Sequence, residues 1–159
     1  MLEKKGNSNS DERMDLLDQF YNIFPDAQVA YLTGDREFVG KRWLTYLLIE
    51  PAISFRLRIR HSNRIFDGKK QLRASIIFAN LKSGQTKVLP GLKLVWGRSV
   101  YVSALRLNDG ELLVVASFQI QLLQLFQTME NAGVLKLYLE CLKPEDFVLS
   151  LLILVILSD

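Results

Sequence analysis

The chain has 159 residues, 49% of them hydrophobic and 23% charged, with a formal charge of +3 and a single cysteine, Cys141. That length holds one domain with a core of its own, and the composition excludes a disordered chain and a disulfide-built scaffold. The basic excess, with a pI near 9.0, permits nucleic-acid contact without requiring it.

The opening residues are polar and carry no secretory leader, and the lone cysteine suits a reducing cytoplasm. Asp11 to Phe24 then reads as an amphipathic helix, with Met14, Leu17, Phe20, Tyr21 and Phe24 on one face. Ser8 and Asp11 have the spacing of a capping box, and Pro25 stops the helix. Val29 to Thr33 reads as a short buried strand and Gly34-Asp35 as the turn out of it. Glu37 to Glu50 is a second expected helix, with Phe38, Trp43, Leu44, Leu47 and Leu48 as its apolar side and Pro51 at its end. Ser54 to Arg60 alternates cleanly: Phe55, Leu57 and Ile59 on one face, Arg56, Arg58 and Arg60 on the other. Helix, strand, helix, strand in this order predicts a parallel α/β unit.

From His61 to Ser117 the pattern changes to that of an antiparallel β-rich segment. Asp67-Gly68 and Asn108-Asp109-Gly110 are turn signals. Lys87 to Leu89, Leu92 to Trp96, Val100 to Leu107 and Leu112 to Ala116 read as strands, and Gln71 to Leu81 as a short helix. Beyond Ser117 the chain is apolar without amphipathic order. Its densest run, Val148 to Leu157, is too short for a bilayer span of about 20 residues, so no membrane partner is expected.

Two groups of residues stand out for function. Asp35 follows a buried strand, at the end where α/β folds place their sites; on the residues alone a cap for the helix that follows is the favoured role. Arg56, Arg58, Arg60, Arg64, Lys69 and Lys70, with Arg73, form the most basic stretch. They fit contacts to DNA phosphates, or simply a solvated strand face and loop. Trp43 and Trp96 read as packing residues, His61 as a surface residue and Cys141 as inert.

Three segments share a resemblance. Leu32-Thr33-Gly34-Asp35-Arg36-Glu37-Phe38, followed by Gly40 and Trp43, resembles the second-aspartate motif of bacterial insertion-sequence DDE transposases of the "four" type. Upstream, Leu2-Glu3-Lys4-Lys5-Gly6-Asn7-Ser8-Asn9 is similar to that family's Leu-Asp-Lys-Lys-Gly-Asn-Ser-Asn stretch, and Ser54-Phe55-Arg56-Leu57-Arg58-Ile59-Arg60 to its Phe-Arg-Ile-Arg-Ile strand. The likeness runs from about Leu2 to Ala116. It implies an RNase H-like fold with a β-rich insertion before a catalytic glutamate, a bacterial cytoplasmic setting, and cut-and-paste transposition of DNA with no small-molecule substrate. It further implies three carboxylates around Mg²⁺ ions that activate the attacking oxygen and stabilise the leaving one.

Of those carboxylates only Asp35 maps. The family's first aspartate would precede Met1. Neither Glu130 nor Glu140 has the Tyr-x-x-Arg-x-x-x-Glu-x-x-x-x-x-x-Lys surroundings of the third. The expectation is therefore an α/β chain with a partial RNase H-like core at 1–60, a β-rich insertion at 61–117 and an aberrant tail at 118–159, catalytically incompetent. The alternative is a non-catalytic fragment that binds DNA or an intact transposase as an inhibitor. With its upstream neighbours missing, the strand at Val29 to Thr33 is expected to have an unpaired, aggregation-prone edge.

The tail has its own explanation in codon arithmetic. Moved back by one base, the frame takes the third base of each present codon and the first two of the next. With a suitable third base Thr128/Met129 can then give Tyr, Asn131/Ala132 Arg, Leu135/Lys136 Glu and Leu142/Lys143 Lys, at the family's spacing. A frameshift near Ser117 is the expected outcome of reading the gene. Stops in the neighbouring frame, or the lack of these four codons at these offsets, would show it wrong.

Overall fold

The computed structural model describes residues 9–26, 31–34, 36, 39–49, 53–118 and 153–154. Helix α1, Ser10–Ile23, starts with a capping box. The Glu12 amide donates to Asn9 Oδ1 at 2.9 Å, and the Asn9 amide donates to Glu12 Oε2 at 3.0 Å. The box sits one residue beyond the expected Ser8–Asp11 pair, because glutamate has the extra methylene needed to reach back to the cap amide. Leu17 is fully buried, Met14 and Tyr21 pack at the core edge, and Phe24 is 55% exposed rather than on the buried face. Phe24 is already the C-cap, so helical periodicity no longer governs where its ring points.

Strand β1, Tyr31–Gly34, helix α2, Lys41–Ile49, and strand β2, Phe55–Ile59, follow. β1 and β2 are parallel, with Leu32 opposite Phe55 and Gly34 opposite Leu57. The predicted parallel α/β unit is present. α2 begins at Lys41, its first bond running from the Leu44 amide to the Gly40 carbonyl at 3.0 Å. Trp43, Leu44 and Leu47 are fully buried. The alternation of β2 appears as written in the sequence: Phe55, Leu57 and Ile59 are buried, Arg56 and Arg58 half-buried.

The remaining strands are β3 (Arg64–Phe66), β4 (Gln71–Arg73), β5 (Thr86–Val88), β6 (Lys93–Val95), β7 (Arg98–Arg106), β8 (Leu112–Ser117) and β9 (Ile153–Leu154). They complete a sheet in the order β4-β3-β6-β7-β8-β2-β1-β9, with β5 also pairing β7. Apart from the β1–β2 pair the ladders are antiparallel. β8 lies between β2 and β7, so one sheet spans both segments distinguished in the sequence. The architecture is mixed α/β, with most of the sheet antiparallel.

Two further expectations need correcting. The helix expected over Gln71 to Leu81 is instead strand β4 followed by a single turn, α3, Ala74–Ile77. Cross-strand pairing with β3 overrides local propensity there, and three-residue strands are too short to display period two. The second correction concerns the outer edge of β1, which is paired: Tyr31 lies opposite Leu154 and Leu32 opposite Ile153 in β9. Buried backbone groups require partners, and two residues of the tail supply them. The other expectations for 118–159 lie outside the described residues except at Phe118 and β9. Among the described residues no helix is long and apolar enough to cross a membrane.

The turns follow their chemistry. Trp96 (φ 50) and Gly97 (φ 74) both take left-handed backbone between Val95 and Arg98, which face each other across the β6–β7 hairpin. This is the type I′ geometry that matches strand twist. Tryptophan is a costly residue at positive φ; its ring packs against the core and offsets that cost.

Arg106 ties three segments together. Its Nε donates to the Leu81 carbonyl at 3.2 Å, and its terminal nitrogens to Phe78 (3.3 Å) and Gly110 (3.1 Å). Arg106→Met keeps the stem and removes these donors. The expected loss is about 2–3 kcal/mol in urea denaturation, with Arg106→Lys recovering less than half, because one ammonium cannot reach all three carbonyls. A loss no larger than that of an average surface substitution would show the clamp to be idle.

Candidate nucleic-acid interface

The basic residues picked out in the sequence separate once their surroundings are known. Arg56 and Arg58 are half-buried on β2. Arg58 forms an ion pair with Glu111, and its side chain is only 12% exposed. Arg60 and His61 are exposed in the turn leaving β2, where the Arg60 amide donates to Asn63 Oδ1 at 2.7 Å. Arg64, Lys69, Lys70 and Arg73 are all exposed, and all belong to one hairpin, β3–β4. Among the described residues that hairpin groups four exposed cations within ten positions.

Its turn is built by Asp67. The carboxylate accepts the Lys69 amide at 2.9 Å and the Lys70 amide at 3.0 Å, and Gly68 supplies φ +98. The Lys70 and Lys69 amides, then the charges of Lys93 and Lys70, hold the Asp67 carboxyl below the usual carboxylate range. A depressed pKa stabilises the turn above the unfolded value and loses that contribution as pH falls through the folded one. At neutral pH the one acid of the hairpin is thus charged but committed to backbone amides. Among the described residues none of Arg64, Lys69, Lys70 or Arg73 is in a salt bridge.

The hairpin has two unlike faces. Ile65 and Val95 are fully buried and opposite each other, with Leu72 beside them. On the outward face Arg64 stands directly opposite Arg73, Phe66 opposite Gln71, and Leu94 of β6 beside Phe66. Leu94 is 37% exposed. Phe66 is half-exposed and is not among the described side chains that pack against the core. Like charges directly across a ladder are destabilising, so the pairing of β3 with β4 places Arg64 and Arg73 at positions that do not favour two cations. Neither Phe66 nor the Arg64–Arg73 opposition stands out from the sequence. The signal that was present is the symmetry of Arg-Ile-Phe and Gln-Leu-Arg about an Asp-Gly turn.

Asp35 lies outside the described residues; β1 ends at Gly34, immediately before it. Glu130, Glu140 and Cys141 are likewise outside. Among the described residues no three His, Cys, Asp or Glu side chains converge as a metal site. A cleft of about 480 Å³ lies between α1, α2 and β7, with Met14, Tyr46 and Ile49 on its walls. Two of its three cations are engaged: Arg42 pairs with Asp11 at 2.6 Å, and Arg98 Nε donates to Thr45 at 2.7 Å. These contacts lock α1 to α2 and α2 to the sheet, and they give the cleft a structural role.

The cross-strand repulsion has a measurable consequence. Arg73→Glu, which places an opposite charge across from Arg64, is expected to stabilise the chain by a few tenths to about 1 kcal/mol at low salt, shrinking as salt is added. Unchanged stability in urea at low ionic strength would show that the two guanidinium groups do not sense each other. No family model, curated protein or solved structure matches the chain.

Proposed function

We propose that the chain is a fragment of an insertion-sequence DDE transposase and is catalytically incompetent. The observation that carries this reading is the run of three resembling segments in order, Leu2 to Asn9, Leu32 to Trp43 and Ser54 to Arg60. The arrangement of β1, α2 and β2 supports it: Asp35 directly follows a β-strand whose parallel neighbour is reached through a helix, as in an RNase H-like core. In the parent, Mg²⁺ held by three carboxylates would supply the phosphodiester chemistry. Only Asp35 has a counterpart here, and no catalytic step is assigned to the described residues.

The second reading, a non-catalytic binder of DNA, is favoured by the exposed cations of the β3–β4 hairpin. Both readings share one assay. Purified chain is incubated with supercoiled plasmid and Mg²⁺ or Mn²⁺, and in parallel with a labelled duplex at several salt concentrations. No nicking is expected, while duplex binding should weaken with salt by a log–log slope of roughly −0.9 per phosphate contacted. Nicking that disappears in Asp35→Ala would overturn the incompetence. Absence of salt-sensitive binding would overturn the second reading.

A further inference from the structure

We propose that the outward face of β3, β4 and β6 is a platform for single-stranded DNA, on which Arg64 and Arg73 hold one backbone phosphate between them and Phe66 stacks an unpaired base. This rests on the chain having affinity for DNA and adds which form of DNA the surface fits. Four observations converge. Arg64 and Arg73 are exposed and directly opposite, so a phosphate between them replaces repulsion with two charge-assisted contacts. Phe66 lies two residues along the same strand, about 6.5 Å from Arg64, on the same outward face and outside the core. Leu94 extends the apolar surface beside it. Lys69 and Lys70 at the hairpin tip add charge along the path.

A cation pair with an adjacent half-exposed aromatic on an open sheet face is the combination that binds single strands: charge follows the backbone and a ring takes the face of a base. A duplex presents phosphates and base edges but no base face, so it would use the cations and leave Phe66 idle. That difference separates the platform from general affinity for DNA.

The test uses the full chain with a fluorescent deoxy-oligonucleotide, the same sequence as a duplex, and the same sequence as a ribo-oligonucleotide. Phe66→Leu keeps apolar volume and removes the ring; circular dichroism checks that each variant folds. The expected result is a roughly five- to hundredfold loss of single-strand affinity in Phe66→Leu with duplex affinity unchanged. Replacing Arg64 and Arg73 together by Gln should lower the single-strand salt slope by about 0.7, one phosphate contact. If Phe66→Leu fails to fold, the paired Gln variant decides: an unchanged single-strand slope overturns the platform. Equal loss on single strand and duplex in Phe66→Leu, or no loss on either, also overturns it while leaving affinity for DNA standing. No binding of any oligonucleotide overturns both. A ribo-oligonucleotide bound more tightly than the deoxy form overturns the assignment to DNA.

Discussion

The position of β8 between β2 and β7 is the constraint on which the rest of the molecule depends. Its six residues are all buried, on both faces of the sheet. The two ladders that flank it set one parity for three strands. Leu57 aligns with Ala116 and Ala116 with Val102, which puts Phe55, Ile59, Val114 and Ala104 on the side where the helices pack. Leu105, Leu113 and Val115 form a separate cluster on the other side. A slip of one residue in either ladder would exchange the two sets, so the register is specified by burial twice over. Arg106 and Arg98 fall on the helix side by the same parity. That is why one can reach the carbonyls around α3 and the other Thr45 on α2.

The smaller part of the sheet inherits this geometry and ends with a spare face. β6 continues from β7 through the Trp96-Gly97 turn, and β3 and β4 extend from β6. Ile65 and Val95 satisfy the core on one side. The opposite face has no described element over it and carries Arg64, Arg73, Phe66 and Leu94. A sheet that is antiparallel and covered on one side is ordinary; the content of the uncovered side is what departs from a bland polar surface. Two arginines occupy directly opposite positions of the ladder, beside an aromatic residue that is not among those packed against the core.

Arginine serves three physical purposes in this chain. Arg58 is neutralised by Glu111 at low exposure. Arg106 replaces water at three carbonyls. Arg64 and Arg73 are left to solvent. A basic stretch read as one unit from sequence therefore divides into structural and available cations, and only the second kind offers charge to a phosphate without breaking an existing contact.

Much of the first sixty residues was legible from sequence, because amphipathic helices and an alternating strand carry their burial in the pattern: Leu17, Trp43, Leu44 and Leu47, and Phe55, Leu57 and Ile59 are buried as read. Four strands of the β-rich segment were legible, the short β5 and β6 as well as the long β7 and β8. Arg64–Phe66 and Gln71–Arg73 were not, since their stability comes from pairing with each other. Asp35 was legible only as a motif. What the sequence determined by itself is local: periodicity, caps and turns act within a few residues of one another. What only the tertiary structure decided is which strands are neighbours, and hence that Arg64 meets Arg73, that β9 closes the edge of β1 and that Arg58 is tied to Glu111. These contacts join residues on different strands or loops, and which strands pair, and in what register, is decided by burial across the whole sheet rather than by signals within a few residues.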